Sequence, residues 1–148
     1  MPRISIVIRA FNEEKYIGNL LKAIKQQSCQ DYEIIVGDSG STDRTPEIAR
    51  ENSDSLVEIS PEDFTFGYAL NVGCRYSKGD FVVNISAHAI PVDCHWLTNL
   101  VAPFLDDKVA MVYGRHIGAE ITKFSEDRDF AYTFREKLIT TTEKPFYA

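Results

Sequence analysis

The feature that most constrains this chain is a regular change of period. Short apolar runs rich in β-branched residues, at 4–8, 34–36, 56–59 and 81–85, alternate with longer stretches whose apolar residues recur every three to four positions. Runs of the first kind read as strands buried on both faces, and stretches of the second kind as amphipathic helices. Strand and helix in alternation imply parallel β-α-β units with right-handed crossovers. The expected class is therefore α/β, a mostly parallel β-sheet with helices on both faces.

The helical stretches are expected over 13–27, 46–52, 64–78 and 93–105, a fifth strand at Val109 to Tyr113, and a last helix from about Ser125 to Ile139. Asn12 is a plausible N-cap for the first helix, with Glu13 and Glu14 in its first turn, where the helix dipole favours acids. Thr45 and Pro46 mark the start of the second. Tyr68, Ala69, Val72 and Tyr76 form the apolar stripe of the third, with Gly79 placed to close it in the left-handed conformation.

In an open parallel sheet, ligands bind beyond the carboxyl ends of the strands. Three polar turns follow strands one, two and four, at 9–12, 38–41 and 86–88, and should surround one crevice. The most organised is the second, where Ile34 to Val36 runs into Gly37, Asp38 and Ser39-Gly40-Ser41-Thr42 before the next helix.

Composition narrows what that crevice can bind. A net charge of −6, with basic residues scattered, argues against a nucleic-acid or anionic-membrane surface. No apolar run approaches a membrane span, and 148 residues suit a single domain, 1–148. The first residues enter a strand pattern without a secretory segment, so a cytoplasmic location is expected. Three widely spaced cysteines, Cys29, Cys74 and Cys94, fit neither a disulfide framework nor a metal cluster, and His95 and His116 have no paired ligand nearby in sequence.

Neither G-x-G-x-x-G nor G-x-x-x-x-G-K-[ST] occurs, which turns the reading away from dinucleotide oxidoreductases and P-loop enzymes. An aromatic, Phe11, and a strand-end carboxylate, Asp38, suit a nucleotide, because a ring can stack on a base and a carboxylate can accept from base or ribose donors. Each also has a plain structural account: Phe11 as core, Asn12 as a cap, Asp38 as a turn residue, Arg75 on a solvated helix face.

Four blocks, in order, resemble the inverting glycosyltransferases of family 2 with the GT-A nucleotide-sugar fold. They are Ile4 to Glu14 (ISIVIRAFNEE), Glu33 to Asp43 (EIIVGDSGSTD), Asn71-Val72-Gly73 with Lys78-Gly79-Asp80, and Asn84 to Pro91 (NISAHAIP). The resemblance implies that Ala10 and Phe11 line the base pocket, that Asn12 and Glu13 shape the same loop, and that Asp38 hydrogen-bonds the base. It places Asn71 and Arg75 where the family approaches the nucleotide from the third helix, and adds Ser86 to the nucleotide-sugar set.

The fourth block stands where the family carries an Asp-x-Asp metal motif, and here it reads Ser86-Ala87-His88. The carboxylates that hold Mg²⁺ or Mn²⁺ are replaced, leaving His88 as the metal candidate. An imidazole suits Mn²⁺ better than Mg²⁺. The alternatives are that His88 donates directly to the diphosphate with no metal needed, or that it is simply a polar loop residue. The family's catalytic base lies well downstream of its metal motif, so the resemblance places the general base beyond Ala148 and implies the donor-binding part without the acceptor half. Glu126-Asp127 reads as structural.

The activity implied by resemblance is transfer of a sugar from a nucleotide-diphosphate sugar to a hydroxyl acceptor, glycan or lipid-linked, with inversion. Similarity of the 58–73 region to rhamnosyl-type members points to bacterial surface polysaccharide. A non-catalytic nucleotide-binding or regulatory module is the alternative. A sugar nucleotidyltransferase is weaker, for want of a glycine-rich, basic triphosphate loop.

Overall fold

The computed structural model describes residues 3–118 and Asp129. The elements in order are β1 (Ile4–Ala10), α1 (Ile17–Lys25), β2 (Tyr32–Asp38), α2 (Thr45–Asn52), β3 (Ser55–Glu58), α3 (Phe66–Tyr76), β4 (Phe81–Ser86) and α4 (Trp96–Val101), with 3₁₀ turns at Pro61–Asp63 and Ala102–Leu105. The four strands form one parallel sheet in the order β3-β2-β1-β4.

Alternation along β1 divides its side chains between two layers. Ile4, Ile6, Ile8 and Ala10, with Ile34 and Val36 of β2, pack against Ile17, Leu20, Leu21 and Ile24 of α1, and Ala49 of α2 and Leu97 of α4 join the same core. Val7 faces the other way, towards α3. There a Cβ on Gly73 would stand 2.2 Å from Val7 Cγ1, so the helix lies on the sheet at a distance only glycine permits. The expected sheet with helices on both faces is what the chain forms. The strand order reverses at β1, with β2 and β3 added on one side and β4 on the other, and the gap between β1 and β4 is the switch point where α/β sheets open a crevice.

Several local expectations are corrected. Helix α1 begins at Ile17, not Glu13, and no acid lies in its first turn, because the backbone N–H groups of Glu13 and Glu14 are drawn to Thr45 and Asp43 instead. Asn12 is not its N-cap; it stands in the left-handed region with φ 53°. Thr45 opens α2, but its hydroxyl accepts from Glu13 rather than capping its own helix. The buried stripe of α3 is Ala69 and Gly73, while Tyr68 and Tyr76 are exposed. Gly79 does not take a positive φ. It is glycine because a Cβ would lie 2.7 Å from the Ser5 backbone N, and its own N–H donates to Ser5 Oγ at 2.9 Å.

Two compact units divide the chain at Pro103–Phe104. The expected fourth helix keeps α form only over Trp96–Val101, since Pro103 lacks the N–H that α-helical bonding needs. In the second unit the expected strand at Val109 to Tyr113 does not form: the segment has no strand partner among the described residues, and Met111 and Tyr113 are exposed. The helix expected from Ser125 lies outside the described residues apart from Asp129, which is helical.

Candidate functional site at the carboxyl edge of the sheet

In register, Ala10 of β1 lies opposite Asp38 of β2, and Arg9 lies opposite Gly37 on one side and Ser86 on the other. The three polar turns therefore leave the sheet at one level, as their positions after the strands imply. What joins the first two is a set of backbone-to-side-chain hydrogen bonds. Asn12 N–H donates to Ser41 Oγ at 2.8 Å, Thr42 N–H to Asn12 Oδ1 at 2.8 Å, Glu13 N–H to Thr45 Oγ1 at 2.7 Å, Glu14 N–H to Asp43 Oδ2 at 3.1 Å, and Arg44 N–H to Glu14 Oε2 at 3.2 Å. Loops whose backbone groups are paired in this way make a firm floor for a ligand.

Asp43 is also held by the Thr45 N–H at 2.9 Å. Slight burial pushes its carboxyl up, but the hydrogen bonds from Thr45 and Glu14 outweigh that and leave it below the usual carboxylate value.

Asp38 is only 2% exposed, and both its oxygens are taken within its own turn. Oδ2 accepts from Gly40 N–H at 3.2 Å and Ser41 N–H at 2.9 Å, and Oδ1 accepts from the Ser41 hydroxyl. Gly40, at φ 84°, lets the chain make this turn. The residue after Asp38 behaves differently: Ser39 is buried, yet its hydroxyl has no hydrogen-bond partner among the described residues. An orphaned polar atom at a strand end is what a ligand donor or acceptor would satisfy. Sequence reasoning passed over Ser39 because a serine in a turn carries no distinguishing signal.

Ala10 faces the core, and its carbonyl accepts from Ser39 N–H at 3.0 Å. Phe11, in contrast, is 55% exposed, so its ring is free to be stacked upon and is not a core residue. On the β4 side, Glu13 Oε1 and His88 Nδ1 are 2.9 Å apart, and Ser86 Oγ lies 3.4 Å from the same nitrogen. Glu13 and His88, expected in separate roles, form one pair.

A carboxylate can only accept, so in this contact Nδ1 carries the proton, and a ring with its one proton there would present the Nε2 lone pair. A histidine backed in this way by a carboxylate is the arrangement that metal ligands use. Among the described residues no three His, Cys, Asp or Glu side chains converge on one point. A divalent cation here would have His88 as its protein ligand, with the remaining positions taken by ligand oxygens and water, a set suited to Mn²⁺ more than to Mg²⁺.

Asn71 and Arg75 stand apart from this pair, both exposed on α3. Arg75 lines a cleft of about 530 Å³ with Glu58, Ser60, Asp63 and Tyr68. A second cleft of about 440 Å³ is lined by Asp38, Ser41, Glu58, Ser60 and Pro61. Glu58, Ile59 and Ser60 border both, so the Arg75 cleft continues along the end of β3 to the turn after β2. Asn71 borders neither. Glu126 and Asp127 lie outside the described residues.

Residues 5–147 match the family described as Glycosyl transferase family 2. A dolichyl N-acetyl-alpha-D-glucosaminyl phosphate 3-beta-D-2,3-diacetamido-2,3-dideoxy-beta-D-glucuronosyltransferase of Methanococcus voltae is 33% identical over 86% of this chain and 41% of its own length. The O-antigen chain rhamnosyltransferase RfbN of Salmonella typhimurium is 32% identical over 78% of this chain and 37% of its own. Among solved structures, the mannosyltransferase PcManGT of Pyrobaculum calidifontis, in complex with GDP-Man and Mn²⁺, superposes with a TM-score of 0.61 at 30% identity, covering 68% of this chain and 31% of that one. The chain thus spans about two fifths of the length of the curated relatives it matches. Its parallel sheet has the GT-A architecture that the four sequence blocks imply, and the chain belongs to glycosyl transferase family 2.

Proposed function

We propose that this chain is the donor-binding part of a glycosyltransferase that moves a sugar from a nucleotide-diphosphate sugar to a hydroxyl acceptor with inversion. The observation that carries the reading is the junction of Glu13 and His88 at the switch point between β1 and β4, beside the exposed ring of Phe11. Phe11 would stack on the base, and the Ser39 hydroxyl would take a base or ribose group. Asp38 would act mainly by holding the turn that presents Ser39, and Arg75 would reach the nucleotide from α3. Asn12 fixes the floor of the same loop, and Ser86 borders His88 on the phosphate side.

His88 Nε2 would hold a divalent cation, Mn²⁺ in preference to Mg²⁺, as the relative from Pyrobaculum calidifontis is found with Mn²⁺. When bound, that cation supplies positive charge to the departing nucleoside diphosphate. The chain's own residues orient the donor: Glu13 holds the His88 ring, and the laced loops keep Phe11 and Ser39 at a fixed spacing. A glycan or lipid-linked acceptor, as in surface polysaccharide assembly, agrees with what the M. voltae and Salmonella relatives are named for. Among the described residues no helix is long and apolar enough to cross a membrane. The three cysteines are free thiols, which suits a reducing, cytoplasmic compartment.

The replaced Asp-x-Asp motif favours one other reading, a nucleotide-binding module without turnover. Calorimetric titration with UDP, GDP, dTDP and CDP, with and without Mn²⁺, tests the donor site. Binding of one diphosphate, strengthened by Mn²⁺ in the wild type but not in His88→Ala, is the expected result. Failure of all four to bind the folded chain would sink the reading. Hydrolysis or transfer of the matching nucleotide sugar separates an enzyme from a module.

A further inference from the structure

Arg9 is the next-to-last residue of the central strand β1, opposite Gly37 and Ser86. Strand alternation sends its side chain to the α3 face, on the same side as Val7. Its guanidinium lies 4.4 Å from the centroid of the Phe66 ring at the start of α3. That stacking holds the group but leaves its N–H donors unspent.

The side chain is half-buried, yet among the described residues it makes no ion pair and no hydrogen bond. The chain is rich in acids, with 22 Asp and Glu, and two arginines out on the surface do find partners: Arg44 pairs with Glu47 at 3.1 Å and Arg50 with Glu58 at 3.2 Å. A half-buried cation with no anionic partner among the described residues is suited to receive an anion.

We propose that Arg9 is the anion anchor of the donor site, its guanidinium taking the diphosphate oxygens of the bound nucleotide. This rests on the donor-site reading. Arg9 stands between the end of β2, where the Ser39 hydroxyl has no partner among the described residues, and Ser86 of β4, which leads to His88. That is the stretch a diphosphate crosses if the nucleoside lies over β2 and the sugar over β4. A planar guanidinium matches two phosphate oxygens at once. Its fixed charge would stabilise the leaving diphosphate whether or not a cation sits on His88.

The test compares a nucleoside diphosphate with its uncharged nucleoside on the whole chain, in EDTA and in Mn²⁺, using whichever of UDP, GDP, dTDP or CDP binds. Arg9→Gln is expected to weaken the diphosphate by roughly 10- to 100-fold in EDTA and to leave the nucleoside within about 2-fold. Arg9→Lys should recover part of the loss. Phe66→Leu, at a residue 64% exposed, keeps the fold and releases the guanidinium, so a several-fold loss confined to the diphosphate is expected there too. An unchanged diphosphate affinity in these variants, or an equal loss for nucleoside and diphosphate, overturns the assignment of Arg9. If the wild type binds no diphosphate at all, the donor-site reading falls with it.

Discussion

Glu13 Oε1 meets His88 Nδ1 at 2.9 Å across 75 residues of sequence, joining the loop after β1 to the end of β4. On the proposed function, the contact would hold the ring with Nε2 turned to the ligand. Glu13→Ala should therefore weaken any Mn²⁺ enhancement of nucleotide binding by about 10- to 100-fold, as removal of a carboxylate behind a metal-bound histidine does elsewhere. Glu13→Gln, whose amide oxygen can still accept, should retain more. Calorimetry with and without Mn²⁺ reads both, and equal enhancement in the wild type and Glu13→Ala would remove Glu13 from this role.

Asp38 and Ser39 are neighbours with opposite liabilities. Asp38→Ala strips three acceptor contacts from a buried turn and should cost about 2–4 kcal/mol of stability, measured by urea unfolding. Ser39→Ala removes a buried hydroxyl that has no partner among the described residues, so stability should stay level or rise by up to ~1 kcal/mol while nucleotide affinity falls several-fold. The reverse pattern, a destabilised Ser39→Ala with intact binding, would count against Ser39 as a ligand contact.

Gly73→Ala sets two effects against each other. Alanine in place of glycine favours a helix by about 1 kcal/mol. Its Cβ, however, would stand 2.2 Å from Val7 Cγ1, and Val7 is fully buried with a stiff side chain, so overpacking of about 1–3 kcal/mol should prevail. A net loss of up to ~2 kcal/mol is expected on denaturant titration. Val7→Ala in the same background should recover part of it, and a stabilised Gly73→Ala would show that α3 is free to lift.

Asp43 makes a pH prediction. Its carboxyl is held below the ordinary range by Thr45 and Glu14, so the folded state favours the ionised form. That stabilisation is full above the unfolded carboxylate value and is lost as pH falls through the lower, folded one. Asp43→Asn should accordingly flatten the acid side of the stability curve, below about pH 4. Parallel curves for wild type and variant across that acid range would contradict it.

The periodic part of the fold is readable from sequence because it is local. Ile4, Ile6 and Ile8 declare a buried strand, and Leu20, Leu21 and Ile24 a helix face, without knowledge of any partner; alternation of the two then implies the parallel sheet and its carboxyl-edge crevice. The four quoted blocks carry the family by the same local route. Ends and special positions are not legible in this way. The start of α1 moves to Ile17 because Thr45 and Asp43, some thirty residues on, claim the N–H groups of Glu13 and Glu14. The expected strand at Val109 to Tyr113 has apolar residues but no partner among the described residues, and a strand is defined by its neighbour.

For the site, the sequence determined which turns face one another and which chemistry-bearing residues stand in them: Phe11, Asp38, Ser86 and His88. Only the tertiary structure decided how those groups are spent. Asp38 is consumed by its own turn, Ser39 is left without a partner among the described residues, Glu13 is given to His88, and Arg9 is stacked on Phe66 with no hydrogen-bond partner among the described residues. The physical reason is that periodicity is fixed by backbone geometry along a segment. Whether a polar group is satisfied depends on side chains that meet only when strands far apart in sequence align.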